Sequence, residues 1–144
     1  MRNNVGKWAE EIVSQWLIVK RWNILHQRWH CRFGEIDIIA RSKSEDTIIF
    51  VEVKSRGNNN WDQYGLLSVN EKKQTKLTLA AEMFLAKFPE YANYNCRFDV
   101  ALLKHRPVKS VGEDHPLTVT SQLQQPIYYH GYQFTIVSYL INAF

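Results

Sequence analysis

Thr47-Ile-Ile-Phe-Val-Glu-Val-Lys54 is apolar on both faces until Glu52, and that pattern predicts a central strand buried on two sides. Its end abruptly acquires an acid and a base, Glu52 and Lys54, which share a face. Upstream, Glu35 to Arg41 alternates, with Ile36, Ile38 and Ala40 on one face and Glu35 and Asp37 on the other. The polar segment Ser42-Lys-Ser-Glu-Asp46 joins the two strands as a hairpin, which brings Asp37 beside Glu52. Charges at the end of a buried strand are expensive unless they are paired, solvated in a cleft or bound to a metal.

Working outward, Val5, Trp8, Ala9, Ile12, Val13, Trp16, Leu17 and Val19 recur at helical spacing after Asn3 or Asn4 as N-cap, which predicts a first helix. Asn23 to His30 reads as a strand ending before the turn at Gly34. Beyond the central strand, Arg56 to Gly65 holds Gly57 and three consecutive asparagines and reads as a loop within one domain. Ser68-x-x-Glu71 has capping-box spacing, and Leu77, Ala81, Phe84, Leu85 and Phe88 form the stripe of a second helix that stops before Pro89. Cys96 to Leu103 reads as a strand. Arg106 to Pro126 reads as a loop with a short strand at Leu117 to Thr120, and a hairpin around Gly131 closes the sequence. The order gives an α/β fold, αβββαβ, with a mixed central sheet flanked by helices, a core over about residues 4–104 and a C-terminal β-rich tail over about 105–144.

A chain of 144 residues fits one domain, and 45% hydrophobic with 22% charged residues excludes a disordered or low-complexity chain. No apolar run approaches the length of a membrane helix, and the N-terminus lacks a secretory h-region, so a cytoplasmic protein without membrane contact is expected. Two cysteines, Cys31 and Cys96, form neither a disulfide framework nor a CxxC pair and read as ordinary buried thiols. The net charge is +4, and all eighteen Lys and Arg fall at or before Lys109, whereas the rest carries only acids, Glu113 and Asp114. Such a field favours a polyanion such as nucleic acid.

Asp37, Glu52 and Lys54 admit two readings: a salt bridge that merely neutralises Lys54, or oxygen ligands suited to Mg²⁺ or Mn²⁺ with a lysine able to hold a water. Gly34-Glu-Ile-Asp37 followed by Val51-Glu-Val-Lys54 resembles the metal-dependent PD-(D/E)xK nuclease core. More narrowly, Gly6-x3-Glu10, GEIDIIA at 34–40, FVEVKSR at 50–56, Ser68-Val69-x3-Lys73-x2-Lys76, CRFDV at 96–100 and the closing Asn142-Ala143-Phe144 look like the bacterial YraN-like family. Val13 stands where that family usually has a small residue. The resemblance implies a restriction-endonuclease-like fold similar to archaeal Holliday junction resolvases. It implies that Asp37 and Glu52 bind a metal, that Glu10 contributes from the first helix directly or through water, and that Lys54 orients the attacking water and stabilises charge on the phosphate. The first functional reading is a Mg²⁺-dependent nuclease that hydrolyses DNA phosphodiester bonds, with branched or otherwise non-standard DNA as a candidate substrate; junction resolution needs two sites and hence a homodimer. The alternatives are a nucleic-acid-binding module on the same fold that no longer cuts, and an assembly protein using the aromatic, base-free tail from Tyr128 to Phe144.

Lys73 continues the buried stripe one turn before Leu77 and is expected to face the site; with Arg56 and Lys76 it could hold substrate phosphates, although Lys76 reads more readily as a solvated helix lysine. Glu35 is either a supporting group or solvated, and Glu11 is expected to be solvated. Arg97 and Asp99 read as an ion pair along one strand. His26-x3-His30-Cys31 is disfavoured as a zinc site, because a strand would point Cys31 away from the histidines. Trp61 and Tyr64 could stack on bases or simply anchor their loop.

Overall fold

Short connections produce antiparallel neighbours and a helical crossover produces parallel ones, and the chain uses both. The computed structural model describes residues 4–42, 44–57, 69–109 and 116–144. Ser68 of the expected capping box, and Trp61 and Tyr64, lie outside them. The order is α1 (Val5–Val19), β1 (Trp22–Cys31), β2 (Gly34–Ser42), β3 (Thr47–Arg56), α2 (Glu71–Lys87), β4 (Asn95–Pro107), β5 (Pro126–Tyr129) and β6 (Tyr132–Leu140). The strands form one mixed sheet in the order β1-β2-β3-β4-β6-β5. β1–β2 and β2–β3 are antiparallel, β3 and β4 are parallel across the α2 crossover, and β6 joins β4 antiparallel. The expected αβββαβ core with its β-rich tail is the observed architecture.

The two helices cover opposite faces. Ala9, Ile12, Val13, Trp16 and Leu17 of α1 pack on Ile38, Ala40, Ile49, Val51, Ala101 and Leu103, while Leu77, Ala80, Ala81 and Phe84 of α2 pack on Ile36, Ile39, Ile48, Phe50, Val100 and Leu102. β3 is therefore buried on both sides, as its sequence requires. Asn4 occupies the α1 N-cap, but its side chain makes no capping bond. α2 is capped by Asn70, whose Oδ1 accepts from the Lys73 amide at 2.9 Å, so an Asx cap directly before Glu71 starts this helix.

Several expectations are corrected. Ile36 does not share a face with Ile38 and Ala40: it lies in the α2-side core and they lie in the α1-side core. The β2–β3 ladder begins only at Ile38 opposite Val51, whereas β2 pairs with β1 out to Gly34. The pleat is thus broken at Asp37, where β2 leaves β3. Leu117 to Thr120 is not a strand; Leu117 and Val119 pack on the α1-side core without joining the sheet. Alternation there signals burial and not pairing. Cys96 is exposed and Cys31 half-buried, so neither is a fully buried thiol.

The tail completes the sheet. β5 and β6 turn through His130 (φ 50°) and Gly131 (φ 79°), the positive-φ pair of a two-residue hairpin loop. Ile127, Phe134 and Ile136 enter the α1-side core, and Phe144 stacks on Phe98 at 4.9 Å. This internal use of the aromatic tail counts against its serving as an assembly surface. Among the described residues no helix is long and apolar enough to cross a membrane.

Candidate active site

Splaying of β2 from β3 leaves strand amides in need of acceptors, and one of them finds a side chain. Val53, two residues past the last β2 partner at Val51, donates its N–H to Asp37 Oδ2 at 2.8 Å. This bond fixes Asp37 against the end of β3, close enough to Glu52 for the Glu52 charge to act on its carboxyl. The Glu52 side chain is 5% exposed, and its Oε2 is met by Lys54 Nζ at 3.3 Å and by Lys73 Nζ at 3.1 Å. Lys73 comes from the first turn of α2. Three elements therefore converge at the carboxyl ends of the parallel pair β3 and β4, where open α/β sheets place their ligands.

Electrostatics follow from the crowding. Burial, and then the neighbouring Glu52 carboxylate, push Asp37 up to about 9, outweighing the Val53 N–H that favours the charged form. Asp37 thus keeps its proton in neutral solution. Glu10 reaches the same neighbourhood from α1. Burial raises its pKa despite a 2.7 Å bond from Arg28 Nε to its Oε1, and the charges on Glu35 and Glu52 push in the same direction. Arg28 sits at φ 52° on β1, a conformation rare outside glycine, and its own pKa is raised chiefly by the bond to Glu10.

Two neighbouring carboxyl groups, one of them held protonated chiefly by burial, and a third carboxyl nearby supply all-oxygen donors that fit Mg²⁺ or Mn²⁺. The pair Asp37 and Glu52 would hold such an ion. Glu10 is turned to Arg28, so it would join only by leaving that partner or through a water. Among the described residues no three His, Cys, Asp or Glu side chains form a ready-made cage.

A sequence profile of the uncharacterised protein family UPF0102 matches residues 9–103, the span from α1 through most of β4 that carries the whole carboxyl cluster. The chain belongs to the UPF0102 family. This is the YraN-like family that its motifs resemble. A UPF0102 protein of Acaryochloris marina is 46% identical over 97% of this chain and 89% of its own length. UPF0102 proteins of Trichormus variabilis and Synechocystis sp. are 40% and 39% identical, each over 98% of this chain and over 94% and 97% of their own lengths.

In this UPF0102 chain the sequence-predicted residues Asp37, Glu52, Lys54 and Lys73 meet directly, and Glu10 stands beside them. Arg56 is exposed at the end of β3, and Lys76 is exposed on α2. Sequence reasoning missed Arg28, because β1 shows only a run of large side chains and no pattern singles out one arginine. It also took Glu11 as solvated, whereas Glu11 accepts a hydrogen bond from Tyr129 Oη that ties α1 to the hairpin and pushes the phenol up to about 12. Asp99 is structural, as read: fully buried, it accepts from Arg97 Nε at 3.1 Å, from Tyr139 Oη at 2.7 Å and from the Asn142 amide at 2.9 Å. Glu35 pairs with His30 at 3.2 Å. His26 packs on Phe84 and Phe88, and Cys31 joins that same core, so the strand irregularities bring Cys31 toward the His26 side instead of away from it. His30, committed to Glu35, does not join them.

Proposed function

We propose that this protein is a divalent-metal-dependent nuclease that hydrolyses phosphodiester bonds of DNA, branched DNA included. The observation that carries the reading is the buried Asp37–Glu52 carboxyl pair at the mouth of the sheet, with the Val53 N–H on Asp37 and both Lys54 and Lys73 on Glu52 Oε2. An acid pair that must store a proton to remain buried has a use if a cation replaces that proton. When bound, the cation supplies Lewis-acid polarisation of the phosphate and lowers the pKa of the attacking water. Asp37 and Glu52 hold it. Lys54, on the same face one pleat beyond Glu52, orients the water and stabilises negative charge developing on the phosphate. Lys73 holds Glu52 in place and adds positive charge at the entrance. Arg28 holds Glu10 beside the pair.

The test is cleavage of labelled linear, single-stranded and four-way-junction DNA with Mg²⁺ or Mn²⁺, with a chelator as control. Asp37→Asn and Glu52→Gln are expected to abolish cutting while remaining folded, and Lys54→Met to lower kcat by about 10²–10³-fold. Binding without cutting by wild type on every substrate would overturn the nuclease and leave the non-cutting nucleic-acid-binding module.

A further inference from the structure

Beyond Glu52 the titratable side chains that β3 and β4 place on the α2-side face are all cationic. The pleat that puts Phe98, Val100 and Leu102 toward α2 puts Lys104 and Arg106 on the same face, next to Lys54 and Arg56 of β3. Arg56 and Lys104 are cross-strand partners in the parallel register. β3 beyond Glu52, β4 beyond Asp99 and all of β5 and β6 carry no Asp or Glu. Neither Lys104, which is half-buried, nor Arg106, which is exposed, makes an ion pair among the described residues. Arg106 is instead held over β6 by a 2.8 Å bond from its Nη2 to Gln133 Oε1. Cations two residues apart on one strand lie about 6.6–6.8 Å apart, and neighbouring strands about 4.8 Å.

We propose that Lys104 and Arg106 form a phosphate-binding track across β4 toward β6, which takes the backbone of a nucleic acid whose scissile phosphate lies at Asp37, Glu52 and Lys54. The inference rests on the reading of the carboxyl pair as a cutting site, and it sets the direction of the strand: across the sheet from β3 to β6, away from α2. Backbone phosphates are common to DNA and RNA, and the track contacts phosphates and not bases, so it carries no sequence preference.

The experiment measures fluorescence anisotropy of labelled single-stranded DNA, duplex DNA and RNA over a salt series, alongside steady-state cleavage. It compares wild type with Lys104→Gln/Arg106→Gln and with the charge-matched Lys20→Gln/Lys87→Gln, whose positions end the two helices at the opposite end of the sheet. Loss of two phosphate contacts should lower the slope of log affinity against log salt by about 1.8 on duplex or about 1.4 on single strands. It should also raise KM with kcat retained, while the control pair keeps the wild-type slope. The arm with the largest slope change identifies the nucleic acid. If wild type cuts but the track variant keeps its slope and KM, the track is overturned and the nuclease stands. If the slope falls as expected and wild type never cuts, the track stands and the nuclease falls. Wild type that binds none of the three polyanions overturns both.

Discussion

Asp37 holds its proton because ionising it would set a second charge against Glu52 in a site with little water, and this makes it a sensor of pH as well as a candidate ligand. The sign follows from the two states of the chain. In the unfolded chain the carboxyl ionises near its ordinary value of 3.8, while in the folded chain it is held up to about 9. Between those limits the folded state binds the extra proton, so stability present at low pH is lost as pH rises through the window. Asparagine imitates the protonated acid: its amide donates to Glu52 and its oxygen still accepts from the Val53 N–H. Asp37→Asn is therefore expected to fold as wild type, to gain about 0.5–2 kcal/mol over it at pH 8 without metal, and to lose the advantage toward pH 4. Urea melts at three pH values check this, and a wild-type advantage that grows with pH would contradict it. Mg²⁺ should stabilise wild type and leave Asp37→Asn unmoved, since an ion that binds only the folded state shifts its stability by mass action.

At the scale of elements, Asp99 on β4 does for the tail what Asp37 does for the site: a carboxyl acts as a hub between strands. Arg97 from its own strand, Tyr139 from β6 and the Asn142 amide beyond β6 all converge on it, and burial with the Asp99 charge pushes the Tyr139 phenol far above its ordinary range. Tyr139→Phe removes one donor of three and should cost about 1–3 kcal/mol. Asp99→Ala strands Arg97 over the Trp22 ring and should cost more, about 3–5 kcal/mol. Thermal melts of both variants check the order, and equal costs would show that the hub is not shared. The hub also marks where sequence reading stops. Periodicity made α1, α2 and the strands legible, because each buries a face at its own repeat. The two-residue period could not see the break at Asp37, since nothing in GEIDIIA announces that β2 leaves β3 there. The acids and the lysines of the site were visible as charges in buried strands, whereas Arg28 lies on a partly exposed strand and gains its role only from Glu10, eighteen residues away. Tyr129 and Glu11, separated by 118 residues, were equally silent, because no local pattern encodes a contact of that span.

Over the whole molecule, the tail closes both cores and is no appendage. Ile127, Phe134 and Ile136 complete the α1-side core, while Leu140, Ala143 and Phe144 pack on the α2-side core that positions Lys73. The Ala143 N–H donates to the Phe98 carbonyl at 2.7 Å, and β6 pairs with β4 from Val100 to Pro107, the same stretch that borders the carboxyl pair and bears Lys104 and Arg106. A structure in which each core draws on both segments should fold all at once, so residues 1–144 are expected to behave as one domain. Loss of helix by far-ultraviolet circular dichroism and loss of tryptophan packing by fluorescence should coincide in urea, and amides of β6 should exchange with the same opening free energy as those of β3. A first transition that releases β5 and β6 while α1 and α2 persist would assign the tail a separate stability. In that event Lys104 and Arg106 would keep their register with β3 but lose the β6 side chain that holds the guanidinium, and Gln133→Ala would then weaken nucleic-acid binding no further.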